Sequence, residues 1–129
     1  MHEPSVEGAS VIVEYLLAMY DTLKLYHWST TSFARHSATD ELVQEVLKTT
    51  DRLVEVYLGR YGRPVYPTGL TMRIRQLSDV EAVAQLREYG RWLKTDFLAT
   101  VKANDTDILN LRDELMSSLH QALYRYTLH

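Results

Sequence analysis

Cysteine is absent from this 129-residue chain, which excludes disulfides, thiolate zinc sites and cysteine nucleophiles. No apolar run approaches the ~20 residues that a membrane span needs. The opening stretch MHEPSVEGAS lacks the basic-then-apolar order of a signal peptide. An excess of one charge is missing too: 14 basic against 17 acidic side chains leave −3 with neutral histidine. So small a balance argues against a general polyanion binder or a membrane-surface protein. There is no phosphate-cradling glycine loop, no serine–histidine–acid arrangement and no zinc-ligand spacing. Strand alternation, internal repeats and low-complexity segments are also missing. The length fits one domain with a sizeable core, and the expected location is the cytoplasm.

What is present is helical periodicity. Residues 1–9, with Pro4 and Gly8, read as a short flexible arm, and residues 10–129 as a single domain. The arm has no lysine or arginine, so DNA binding through the N-terminus is not expected. From Ser10 the apolar stripe Val13, Leu16, Tyr20, Leu23 leads into His27. Ser29-Thr30-Thr31-Ser32 then breaks the first helix, with Ser32 or Ser37 as candidate N-cap of the second. The second helix carries Val43, Val46, Leu47, Leu53, Val54, Tyr57 and Leu58 on an apolar face and stops in the Gly59–Pro64 stretch. A long connector follows, with room for a short helix, and Arg60, Arg63, Arg73 and Arg75 occur in a region free of acidic residues. Those arginines read first as a solvated or subunit-facing surface and second as an anion or nucleic-acid contact. Ser78-Asp79-Val80-Glu81 is a capping box. It opens a third helix through Val83, Leu86, Tyr89, Leu93, Phe97 and Val101. Asn104–Asp107 caps a fourth, with Ile108, Leu111, Leu115, Leu119, Ala122 and Tyr126 inside. The expected fold is all-α: a ferritin-like four-helix bundle with a long crossover between the second and third helices.

Chemistry concentrates between Tyr26 and Tyr57. His36 and Asp40 are four residues apart, as are Asp51 and Glu55, and all four fall within roughly a 100° sector of one helix. His27 lies just upstream. Imidazoles and carboxylates together suit iron or manganese. A Glu-x-x-His pair, the usual ligand motif of an intrachain di-iron bundle, does not occur. Asp40 and Asp51 are separated by about 16 Å along the axis, too far to share an ion within one chain. Two copies packed antiparallel about a two-fold axis resolve this. Asp51 and Glu55 of one would face His36 and Asp40 of the other, with His27 closing each site. Plainer readings compete: a core histidine for His27, a capping box with Ser37 for Asp40, and a solvated charged face for the stripe.

The ordered set His27-Trp28, His36, Asp40, Asp51, Glu55 resembles the signature of the Dps family of miniferritins. Asp105-Thr106-Asp107-Ile108, Arg112-Asp113 and Leu115 are similar to that family's last helix. The run from Thr31 through Ser32-Phe33-Ala34-Arg35 to His36, then Asp51, Glu55, Gly59 and Gly62, also resembles small ferritin-like proteins of tailed phages and large DNA viruses. The resemblance implies a ferroxidase that stores iron, with metal ligands His27, His36, Asp40, Asp51 and Glu55 at a two-fold dimer interface. It also implies a homo-oligomer up to a dodecameric cage, and a virion-associated location if the source is viral. Three features depart from the Dps pattern: closer histidines, a shorter connector and no basic tail. The missing tail, the shorter connector and the arginine-rich 60–75 segment leave a second expectation open, a non-catalytic structural or virion-associated assembly protein. In either case Trp28 is a candidate to pack over the site.

Overall fold

The computed structural model describes residues 6–66 and 68–129. Residues 1–5, most of the expected arm, lie outside them. The first helix, α1 (Val6–Ser29), starts earlier than the expected boundary at Ser10, so the arm does not extend to residue 9. Ala9 is already in the core at 1% exposure, and its burial offsets the helix cost of Gly8, ~1 kcal/mol relative to alanine. The buried stripe is Ala9, Ile12, Leu16, Met19, Leu23 and Tyr26, with Tyr20 only half-buried. It is therefore rotated from the expected one. Both stripes run through Leu16 and Leu23, and a segment apolar on both sides fits either phase.

Ser32 caps α2 (Phe33–Tyr61), its Oγ accepting from the Arg35 amide at 3.2 Å. Ser37 is therefore inside the helix, and the capping reading of Asp40 fails. The helix runs through Gly59 and ends at Gly62, whose φ of 92° favours glycine and whose amide donates to the Leu58 carbonyl at 2.8 Å. Its buried face is Ala38, Thr39, Leu42, Val43, Val46, Thr49, Leu53 and Tyr57. Leu47, expected in that face, is 53% exposed, and Val54 and Leu58 are only partly covered.

The described part of the connector contains no helix. The capping box forms as expected at the start of α3 (Asp79–Lys94): Ser78 Oγ accepts from the Glu81 amide, and Glu81 accepts from the Ser78 amide, both at 3.1 Å. The helix stops at Lys94 instead of reaching Val101. Thr95 Oγ1 donates to the Arg91 carbonyl at 2.7 Å, a local bond that competes with helix continuation. A 3-10 turn at Phe97–Thr100 follows. The last helix, α4 (Thr106–Arg125), buries Ile108, Leu111, Leu115, Leu119 and Ala122, with Tyr126 behind them, as its periodicity predicts.

The described residues thus form four α-helices and no strand, and none of these helices is long and apolar enough to cross a membrane. α2 packs against both α1 and α4, and α3 against α4. Polar ties join the element ends across the bundle. Tyr26, near the end of α1, donates to Asp79 Oδ1 at the start of α3 at 2.7 Å. Tyr57 donates to the Thr100 carbonyl at 2.7 Å, and Thr39 shares a hydrogen bond of 2.6 Å with Tyr126. Below them the Asp105 carboxylate, 3% exposed, accepts from Arg60 Nε at 3.3 Å, the Lys102 amide at 2.9 Å and the Tyr61 hydroxyl.

Burial works against ionisation of Asp105, but its donors outweigh that and hold the carboxyl below the usual aspartate range. The Tyr26 hydroxyl does the same for Asp79. A folded-state pKa below the unfolded one gives stability that is present at neutral pH and lost as pH falls through the folded value. Urea denaturation followed by circular dichroism should therefore show stability declining on acidification below the ordinary aspartate range. Asp105→Asn should cost about 2 kcal/mol at neutral pH and flatten that decline.

Candidate metal centre

Between α1 and α2 the chain reverses through Thr30, Thr31 and Ser32. Hydroxyls stabilise the turn: Ser29 Oγ donates to the Leu25 carbonyl at 2.6 Å, and the Ser32 amide to Thr30 Oγ1 at 3.2 Å. So tight a reversal brings His27 and His36 face to face, as the sequence break anticipates. Their rings stack with centroids 3.9 Å apart and planes 19° from parallel. His27 Nδ1 lies 3.0 Å from the His36 carbonyl, and His36 Nδ1 lies 2.9 Å from the His27 carbonyl.

A carbonyl oxygen only accepts, so each Nδ1 must carry the hydrogen. In the neutral imidazole the lone pair is then on Nε2. A backbone acceptor behind one ring nitrogen is the usual way of fixing a histidine that ligates metal through the other. His27 is buried, 7% exposed, and its Nε2 is 3.9 Å from Asp40 Oδ1. The second oxygen of Asp40 accepts from Gln44 Nε2 at 3.2 Å. His27 is thus a packed histidine, as the plainer sequence reading has it, with its Nε2 on the side of a carboxylate.

The pair is also held from behind. Arg35, which precedes His36, donates from Nη1 to Tyr26 Oη at 3.1 Å and to the Asp79 carbonyl at 3.0 Å. Its guanidinium lies over the Tyr126 ring, 4.4 Å from the centroid. Tyr26, which precedes His27, donates to Asp79, and Thr30 Oγ1 donates to the same oxygen at 2.9 Å. Burial and the Asp79 contact raise the Tyr26 hydroxyl above its usual pKa, so it remains a donor. The sequence reading missed these positioning residues. Asp79 was legible only as part of a capping box, and Arg35 carried no signal beyond its place beside His36.

Asp51 and Glu55 are exposed on the same side of α2. Among the described residues their carboxylates make no hydrogen bond or ion pair. Their residue spacing puts Asp51 about 16 Å along the axis from Asp40. Among the described residues, no three histidine, aspartate or glutamate side chains are gathered closely enough to hold a metal ion. One chain therefore offers an imidazole pair with Asp40 at one end of α2 and a carboxylate pair towards the other. A groove of about 600 Å³ between α2 and α4, lined by residues such as Glu41, Lys48 and Arg125, includes none of the five.

Trp28 does not cover the site. It is 67% exposed, with the Lys24 ammonium 5.3 Å from its ring centroid. Phe33, 81% exposed, is the aromatic nearer to His36, with centroids 6.4 Å apart. The arginine run is divided in the structure. Arg60 is tied to Asp105, Arg75 lies 4.0 Å from Glu81, and Arg63 and Arg73 are exposed.

The described residues are thus all-α, with His27 at the end of α1 meeting His36 and Asp40 near the start of α2, and Asp51 and Glu55 further along that helix. The model of a family of unknown function, DUF5856, matches residues 27–126, and the chain belongs to that family. No curated protein and no solved structure matches the chain. The matched region contains all five candidate ligands.

The tautomer assignment is directly testable. Long-range proton–nitrogen NMR at alkaline pH should find both His27 and His36 with hydrogen on Nδ1 and a bare Nε2. An Nε2–H form at either residue would contradict the reciprocal arrangement.

Proposed function

We propose that this protein is a Dps-like miniferritin that binds ferrous iron, as substrate, at two equivalent sites shared between two copies of the chain. The carrying observation is the reciprocal histidine pair, which leaves both Nε2 lone pairs free with that of His27 beside Asp40, while among the described residues Asp51 and Glu55 make no ion pair on the same side of α2. An antiparallel two-fold dimer would join each imidazole set to the other copy's carboxylate pair. Mixed nitrogen and oxygen donors suit iron, with manganese as an alternative occupant.

The polar ties at the element ends support a ferritin-like order. Arg35 and Asp79 link the starts of α2 and α3, whereas Tyr57 links the end of α2 to Thr100 behind α3. Those ties suit a connector that carries the chain back along the bundle as a single crossover. Bound iron would give up electrons to dioxygen or peroxide, and a cage built from such dimers, up to a dodecamer, would store the ferric product. We place the activity in the cytoplasm, or in the virion if the source is viral.

A second reading, a structural assembly protein that uses the same face without turnover, draws on the exposed Phe33 and Leu47 beside the ligands. Ferrous oxidation by the purified protein separates the two. Asp51→Asn with Glu55→Gln should slow it at least tenfold, on the order expected when metal-site groups are lost. Equal rates for the two proteins would remove the enzymatic reading and leave the structural one.

A further inference from the structure

The exposed face of α2 is close to self-complementary. Opposing His36 to Glu55 and Asp40 to Asp51 in an antiparallel pair fixes one two-fold centre, between Glu45 and Val46. Phe33 and Leu58 are equally distant from that centre, and so are Gln44 and Leu47. At 100° per residue these positions share roughly the same 100° sector as the ligands. Leu47 and Phe33 are 53% and 81% exposed, although both lie on a helix that buries its other face well. The register thus alternates apolar and charged contacts. Leu47 is near the axis, Phe33 meets Leu58 at each end, and the ligand groups lie between them.

Charge decides when such a face can close. Each shared site brings together Asp40 of one copy with Asp51 and Glu55 of the other, three negative charges against two neutral imidazoles. No lysine or arginine lies in that sector to offset them; Lys48 and Arg52 fall outside it on the helical wheel. Asp40 would directly oppose Asp51, and like charges brought together out of water are costly. A divalent cation bound at each site reduces its charge from −3 to −1.

We infer that divalent metal gates the self-association of this protein through α2: without metal the carboxylates keep two copies apart, and with metal the Leu47 and Phe33 contacts close. The partner is a second copy of this chain. The inference rests on the shared-site reading above and adds its regulation. Metal bound only in the dimer multiplies the dimerisation constant by (1 + [M]/Kd) per site. Two sites held at about ten times their Kd therefore shift it about a hundredfold.

Sedimentation velocity on the full chain tests this, first in EDTA and then in Mn²⁺, which probes the site without the oxidation chemistry of iron. Equilibrium dialysis measures the bound metal separately. The wild type should sediment as monomer in EDTA and lose its monomer boundary in Mn²⁺. The Asp51→Asn, Glu55→Gln variant, relieved of two charges per site, should associate more tightly in EDTA than the wild type and ignore Mn²⁺. Leu47→Glu, a change at an exposed position, should remain monomeric in both conditions with its helical circular dichroism unchanged.

A wild type already fully dimeric in EDTA, with Mn²⁺ bound, would overturn the gate and leave the shared site standing. Tight Mn²⁺ binding to a chain that stays monomeric would overturn the gate and the shared site together. The absence of Mn²⁺ binding by dialysis would overturn the metal-site reading itself, and the gate with it.

Discussion

Each of two imidazoles donates its Nδ1 hydrogen to the backbone carbonyl of the other's residue, and this reciprocal bond closes the corner between α1 and α2. The carbonyl of His27, in the last turn of α1 where helical carbonyls lack an intrahelical donor, gains a side-chain partner, and that of His36 takes a side-chain donor in the first turn of α2. Neither ring can turn over without giving up its own Nδ1–H bond to the other residue's carbonyl. Tyr26 and Arg35, one residue before each histidine, are bonded to one another and to Asp79. The orientation of the pair is therefore set by contacts reaching into α3. A substitution at Asp79 would act on the histidines without touching either ring.

The same corner determines how α2 presents its two sides. Once Ser32 fixes where the helix begins, its phase is set for all 29 residues. Leu42, Val46, Leu53 and Tyr57 go inward, whereas Asp40, Leu47, Asp51 and Glu55 go outward. Tyr57 and Tyr61 then meet Thr100 and Asp105, and their hydrogen bonds hold the far end of the helix in that phase. With both ends fixed, the outward side chains keep their relative positions along some 20 residues of helix, about 30 Å at 1.5 Å per residue. A rigid array of this kind is what a site shared between two subunits requires, because neither half can adjust much to the other.

The helical elements were largely legible in the sequence. The capping box at Ser78, the glycine stop after α2 and the inner face of α4 each rest on local chemistry that a sequence displays directly. Two kinds of feature were not. The phase of α1 was ambiguous because its first half is apolar on more than one side, so only packing against α2 and α3 could choose Ile12 and Met19 over Val13 and Tyr20. The burial of Leu47, Val54 and Leu58 was misjudged for a related reason: apolar character does not distinguish a core face from one available to a partner. Of the site, the spacing gave the five ligand candidates and their division into two halves. It could not give the tautomer, which depends on backbone carbonyls nine residues away in each direction, nor the support from Asp79, which is distant in sequence from both rings.

The physical placement of the carboxylates bears on how such a protein would couple metal to assembly. A carboxylate exposed on a monomer costs almost nothing, because water solvates it and its pairing is unnecessary. Asp51 and Glu55 are therefore tolerated on the folded chain without a compensating base, unlike buried Asp105, which needs three donors. The cost appears only when a second surface removes the water, and then it falls on the association step and not on folding. Separating the imidazole end from the carboxylate end of one helix thus stores the whole electrostatic penalty of a metal site in the proposed contact between copies. Intrachain sites, with all ligands inside one bundle, would burden the fold of the single chain instead. Under the proposed arrangement the fold would remain stable through its own core while the association of two copies responded to metal.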